Sequence, residues 1–360
     1  MRSLDHLPKA HLHLHLEGAM RPATLAELAG ERGERPPDSG GFTSFEDFGA
    51  LYGIAARVVR EGPRRNLLRL VREVVEDAAA DGAVWIEPHL NPLTYEDDPD
   101  AALDVLDAVI DEGRRTGARL GVGFGILVFA RRNADPSEAV LAARLAARRS
   151  DNGVVGFGLA GDEARHPPEP FAEAFAIARD AGLIPAPHAG EFAGPASVRA
   201  ALDVLGARRI AHGVRAVEDP ALLARLAAEG IVLDVCPTSN VALGVVASLA
   251  AHPLPRLLEA GVRCTLNADD PLLFGPGLLQ EYETARTALA LTDPQLATVA
   301  RTSLEASGAP RAIVEDAVTR IDAWLDIPGQ ATAPPTQQAC RPPDHKGLSA
   351  TASQRLRDNL

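Results

Sequence analysis

Three histidines near the start of the chain, His11, His13 and His15, alternate with Leu12, Leu14 and Leu16. On a β-strand that spacing sets the imidazoles on one face and the leucines on the other. Imidazoles packed so densely on a buried face are costly unless something uses their lone pairs, and divalent zinc does. Further along, His188-Ala189-Gly190-Glu191, Ala211-His212-Gly213 and Asn267-Ala268-Asp269-Asp270-Pro271 each place a His, Glu or Asp where an apolar run meets a loop. Taken alone, any one of these reads first as a satisfied polar cap, and an isolated His-x-His as chance. Asp270 also suits the N-cap of a helix starting near Pro271. Taken together they converge on three neutral imidazoles and one carboxylate, a zinc site with a position left for water.

Such convergence needs a scaffold that brings many strand ends to one rim. The chain reads as short apolar runs at His11–Leu16, Ala83–Glu87, Arg119–Leu127, Val154–Leu159, Leu183–His188, Arg208–His212, Ile231–Val235 and Val262–Asn267. Amphipathic helical stretches separate them, and Gly182, Gly230 and Gly261 stand where C-terminal caps belong. The alternation predicts an α/β fold, a (β/α)8 TIM barrel, over an open doubly wound sheet. A helical insertion follows the first strand and extra helices follow the last. Within the insertion, Pro22–Leu70, a polar loop at Arg35–Gly41 precedes Phe42, Phe45, Phe48 and Tyr52, which either roof the barrel mouth or add helical packing. Residues 1–327 form the expected barrel domain, and residues 328–360, rich in Pro, Gln, Thr, Ser and Ala, a disordered tail.

Composition narrows the chemistry. With 360 residues, 46% apolar, a large core is affordable, and a net charge of −13 argues against a protein that grips phosphate backbones. No apolar run reaches membrane-spanning length. The three cysteines, Cys236, Cys264 and Cys340, cannot all pair and form no CxxC, which fits a reduced, cytoplasmic setting. The only lysines are Lys9 and Lys346, so a two-metal hydrolase bridged by a carbamylated lysine on a middle strand has no residue to use. HExxH and GxxxxGK are absent, and Gly121-Val122-Gly123-Phe124-Gly125 does not make a dinucleotide cradle.

Six segments in order resemble the adenosine deaminase family of the amidohydrolase superfamily, over about residues 5–325. They are Leu7–Gly18, Leu159-Ala160-Gly161-Asp162-Glu163, His188–Glu191, Ile210–Val214, Cys236-Pro237-Thr238-Ser239-Asn240, and Asn267–Pro271. The resemblance implies one Zn2+ per chain held by His13, His15, His188 and Asp269. It further implies that Glu191 protonates purine N1, that His212 handles the proton of the metal-bound water, and that Asp270 orients that water. Gly161 would meet the purine through its backbone. His11 stands where the family commonly has Glu, which implies a supporting or structural role.

The substrate rests on finer differences. Where adenosine deaminases usually carry Asp against the ribose 5′-hydroxyl, this chain has Glu17, as in adenine-specific relatives; the extra methylene reaches about 1.3 Å further. Gly158 also replaces a common Asp. Gly161-Asp162-Glu163, Thr238-Ser239-Asn240 and Leu249–Leu254 resemble the adenosine-specific branch. The expectation is hydrolytic deamination of adenosine and 2′-deoxyadenosine in purine salvage, with adenine second and a modified nucleoside such as aminodeoxyfutalosine third. A non-catalytic purine-binding protein is the alternative from another class. The expected partner is a small purine, with no nucleic acid or membrane, and the sequence sets no oligomeric state.

Overall fold

The computed structural model describes residues 2–35 and 45–327. The expected tail, Phe42, the side chain of Phe45 and most of the Arg35–Gly41 loop lie outside the described residues. The strands are β1 (Lys9–His15), β2 (Ala83–Leu90), β3 (Gly123–Phe124 and Ile126–Arg131), β4 (Val154–Ala160), β5 (Ile184–Pro185 and His188–Ala189), β6 (Arg209–His212), β7 (Val232–Val235) and β8 (Arg263–Leu266). All neighbours run parallel: β1 to β2, β2 to β3, β3 to β4, and β4 to the first part of β5. The second part of β5 pairs with β6, β6 with β7, and β7 with β8. A parallel bridge between Leu14 and Asp269 completes the ring, through Asp269 N–H to His13 O at 3.1 Å and His15 N–H to Asp269 O at 3.0 Å. This is the expected α/β barrel.

Its boundaries differ from the sequence reading for local reasons. The third strand starts later than Arg119, because the preceding helix runs Pro99–Leu120 and ends on a left-handed Gly121, and it continues to Arg131. The second runs three residues past Glu87, carrying His89 with it. The fifth is split, since Pro185 and Pro187 have no N–H to give the ladder. Gly182, Gly230 and Gly261 do take left-handed conformations at helix ends.

Three helices fill the insertion, α1 (Pro22–Glu31), α2 (Phe45–Arg60) and α3 (Arg64–Ala80). Tyr52 of α2 reaches Glu17 beyond β1, and Phe48 stacks on Phe274 beyond β8 with ring centroids 5.5 Å apart, so the insertion roofs the mouth. Leu278–Thr287, Asp293–Glu305 and Arg311–Asp326 are the extra C-terminal helices. Lys9 points away from this end, its ammonium donating to Leu4 O, Leu7 O and Asp81 O.

Inside the barrel, below the rim, lies a buried charged layer. Arg209 donates to Glu87 at 2.5 Å, Asp234 at 2.8 Å and Leu12 O at 3.0 Å. Glu87 also accepts from Trp85 Nε1 and Gly308 N, and Asp234 from Thr265 Oγ1. Asn267 Oδ1 takes the N–H groups of Leu12 and His13, fixing β1 against β8. Every charge here has partners, so removing one strands the others in a dry interior. Arg209→Ala is expected to destabilise the fold by about 3–5 kcal/mol, measured by denaturant unfolding.

Candidate active site

Four side chains from three strand ends meet at the mouth: His13 and His15 from β1, His188 from β5 and Asp269 just after β8. His13 Nε2 lies 3.1 Å from His188 Nε2 and 3.2 Å from Asp269 Oδ1, while His15 Nε2 lies 3.3 Å and 3.4 Å from the same two atoms. All four residues are buried. His13 Nδ1, 3.3 Å from Asp234 O, donates to that carbonyl, so the lone pair of its Nε2 faces the cluster. Burial depresses the pKa of His15, to about 4, and of His188, so both imidazoles are neutral at pH 7. Neutral nitrogens and a carboxylate oxygen at these separations repel unless a cation sits among them. A tetrahedral zinc with N and O ligands at about 2.0–2.2 Å would separate its ligand atoms by about 3.3–3.6 Å, and the four separations of 3.1–3.4 Å lie within about 0.2 Å of that range. The donor set fits the metal.

Backbone strain marks the same place. Among the described residues only His212 (φ 64°), Asp269 (φ 62°) and Ala290 are non-glycines in the left-handed region, and two of these three belong to the site. Burial works to raise the Asp269 pKa, but His13, His212 and His15 outweigh it and hold the carboxylate well below the usual range. Its Oδ2 accepts from Ser239 Oγ at 2.7 Å.

Two further carboxyls face the cluster with the opposite tendency. Burial, then Asp269 and Glu163, push the Glu191 pKa well up. Its loop is held by one anion: Glu163 accepts from the backbone N–H of Gly190, Glu191, Phe192 and Ala193 at 2.5–3.0 Å. Asp270 is likewise pushed up by burial and by Asp269, and its buried Oδ1 has no partner. Asp270 occupies the N-cap position of the Pro271–Phe274 turn without a side-chain capping bond, so the helix-cap alternative is not what its carboxyl does. His212 Nε2 lies 3.5 Å from Glu191 Oε1 and 3.8 Å from Asp269 Oδ2.

Of the remaining sequence candidates, Glu17 lies beside this centre, Gly161 follows a strand end, and His11 takes the supporting place that the resemblance implied. Glu17 is buried, with Oε2 accepting from Tyr52 at 2.9 Å and Oε1 from Tyr95. Gly161 follows β4 directly, with φ 109°, a conformation suited to glycine. His11 does not join the imidazole cluster: the β1–β2 register breaks between His11 and Leu14, and His11 Nε2 accepts from Ala268 N–H at 3.1 Å. Strict alternation along β1 therefore overstates the shared face. Sequence reading also missed His89, stacked on His13 at 5.1 Å, and the roles of Ser239, Asn240 and His252. Continuing the second strand past Glu87 to Pro88-His89 was the available signal for the first. Cys236 lies near His13 and His212, but burial keeps its thiol protonated.

The fold is that of the amidohydrolase-type deaminases, and the rim carries a buried His/Asp cluster fit to hold a metal. The chain matches the adenosine deaminase family over residues 8–324 and belongs to it. It is 45% identical to a putative adenosine/adenine deaminase of Streptomyces coelicolor, across 90% of this chain and 98% of that one. Its structure superposes on the adenine deaminase of Arthrobacter aurescens with a TM-score of 0.81 at 30% identity, covering 88% of this chain and 99% of that one. An amidohydrolase of Burkholderia ambifaria with bound Zn superposes with a TM-score of 0.78 at 26% identity, covering 90% and 93%.

Gly18 couples the first strand end to the last. A Cβ at Gly18 would lie 1.6 Å from Asp270 Oδ1. Gly18→Ala is expected to turn the Asp270 carboxyl out of the site, lowering kcat at least tenfold with bound metal unchanged, as read by steady-state kinetics beside metal analysis.

Proposed function

We propose that the protein is a zinc-dependent hydrolase that replaces the 6-amino group of a purine by oxygen, with free adenine as its preferred substrate. The observation that supports the chemistry is the meeting of His13, His15, His188 and Asp269 within bonding reach of one ion, beside a carboxyl, Glu191, whose pKa burial pushes well up. Zinc bound there would lower the pKa of a bound water to about 7 and so supply the nucleophile near neutral pH. Glu191, protonated, donates to purine N1 and draws electron density from C6. Asp270, through its unpartnered Oδ1, accepts a hydrogen bond from the attacking oxygen and aims it at C6. His212 hydrogen-bonds that oxygen from the other side. Gly161 meets the ring with its backbone. The roof of α2, with Tyr52, keeps bulk water from the reacting atoms.

Glu17 supports the free base. It stands where the family holds a ribose hydroxyl, yet each of its carboxylate oxygens already accepts from a tyrosine. A ribose hydroxyl would have to share these oxygens with Tyr52 and Tyr95 in a buried, crowded corner, whereas adenine leaves both tyrosine contacts as they are. The Streptomyces putative adenosine/adenine deaminase and the Arthrobacter adenine deaminase are both compatible with this choice. Adenosine is the second reading, favoured by the Gly161-Asp162-Glu163 and Thr238-Ser239-Asn240 segments.

Two experiments check these assignments. His188→Ala is expected to lose zinc, while Glu191→Gln keeps zinc and loses activity by a factor of order 10²–10⁴; equal zinc in both contradicts the division of roles. Side-by-side kcat/KM for adenine and adenosine is expected to favour adenine at least tenfold, with Glu17→Asp moving the ratio toward the nucleoside. Preference for adenosine overturns the free-base assignment. No turnover of either by zinc-loaded protein supports the purine-binding alternative.

A further inference from the structure

Two motif residues outside the cluster form a directed chain to His212. Leu254 N–H donates to His252 Nδ1 at 3.2 Å; His252 Nε2 lies 3.2 Å from Asn240 Oδ1; and Asn240 Nδ2 lies 3.1 Å from His212 Nδ1. His252 and Asn240 are both buried. A backbone N–H can only donate, so His252 Nδ1 is an acceptor and its ring proton sits on Nε2. Burial holds His252 neutral, its pKa down at about 4, so the ring carries that proton alone. His252 Nε2–H therefore donates to Asn240, which must present its carbonyl there and its NH2 toward His212. Facing an NH2 donor, His212 Nδ1 must carry a lone pair.

We infer that His252 and Asn240 are positioning residues that fix His212 as the Nε2–H tautomer, so that His212 acts as a hydrogen-bond donor at the reacting centre. The far side of the ring agrees independently. Among the atoms facing His212 Nε2 is the carboxylate Oδ2 of Asp269, an acceptor, at 3.8 Å; Glu191 Oε1 lies at 3.5 Å. A proton on Nδ1 would set N–H against N–H at Asn240 and a lone pair against the Asp269 carboxylate at the other end. The donor tautomer satisfies both ends at once. The inference rests on the proposed deaminase reading for its kinetic consequence. There His212 donates to the oxygen that attacks C6, stabilising the charge it gains, and does not serve as an acceptor at Nε2.

Asn240→Asp reverses the chain with almost no change in shape. A carboxylate only accepts, so His212 must then move its proton to Nδ1. The tautomer is read by 15N NMR of zinc-loaded, full-length protein labelled at histidine nitrogen, with the His212 signals assigned by their absence in His212→Asn. Wild type is expected to show the proton on Nε2 and Asn240→Asp on Nδ1. In the variant kcat for a 6-aminopurine should fall by a factor of order 10²–10⁴ with KM within about threefold and zinc content unchanged, the range seen when a catalytic imidazole is held in the wrong tautomer. A second pair guards against misfolding: His252→Gln, which keeps an NH2 donor for Asn240, should retain more kcat than His252→Leu. A wild-type proton on Nδ1, an unchanged kcat in Asn240→Asp, or equal activity of the His252 pair overturns the inference. The NMR result stands whether or not a 6-aminopurine is turned over, so failure of the tautomer and failure of the deaminase reading are distinguishable.

Discussion

Three imidazole nitrogens and a carboxylate oxygen, all within 4.8 Å of one another and with four of their six separations at 3.1–3.4 Å, form in a dry rim the constraint on which the rest of the structure depends. Without a cation this arrangement is repulsive, and the fold has to hold it against that repulsion. It does so by making one residue serve two ends. The backbone of Asp269 closes the ring of strands onto His13 and His15, and its side chain completes the cluster with the same two histidines. Barrel closure and donor geometry are thus a single local event, which accounts for the left-handed backbone at Asp269.

Beneath the cluster, the Arg209–Glu87–Asp234 layer fixes the strands that carry it. Asp234 links the two levels: its carboxylate pairs with Arg209, and its carbonyl takes the Nδ1 proton of His13. Buried charge of this kind adds little net stability over apolar packing. Its effect here is geometric. It sets register among β1, β2, β6, β7 and β8, so that donor atoms arrive at one point within a fraction of an ångström.

Above the cluster, electrostatics sorts four carboxyls into different duties. Asp269, among imidazoles, is held ionised; Glu191 and Asp270, buried next to it, are pushed toward their protonated forms. Glu163 is satisfied by four backbone N–H groups and serves as a fixed anion under the Glu191 loop. The difference between an acid and a ligand thus comes from which neighbours each oxygen has, since the side-chain chemistry is nearly the same.

Residue type and spacing were enough to determine the alternation of strands and helices, the strand ends that bear chemistry, and the absence of a lysine for a bridged metal pair. The reason is that period and turn chemistry are local properties, set by side chains a few positions apart. The resemblance already set His11 apart from the ligands, but only the tertiary structure showed that it takes the Ala268 N–H, beside a register break in β1 that depends on how its neighbour pairs. It alone joined Tyr52 and Tyr95 to Glu17, and Leu254, His252 and Asn240 to His212, through contacts between loops of different strands. Hydrogen-bond direction at a buried imidazole is set by whatever lies across the cavity, and no spacing along the chain records that.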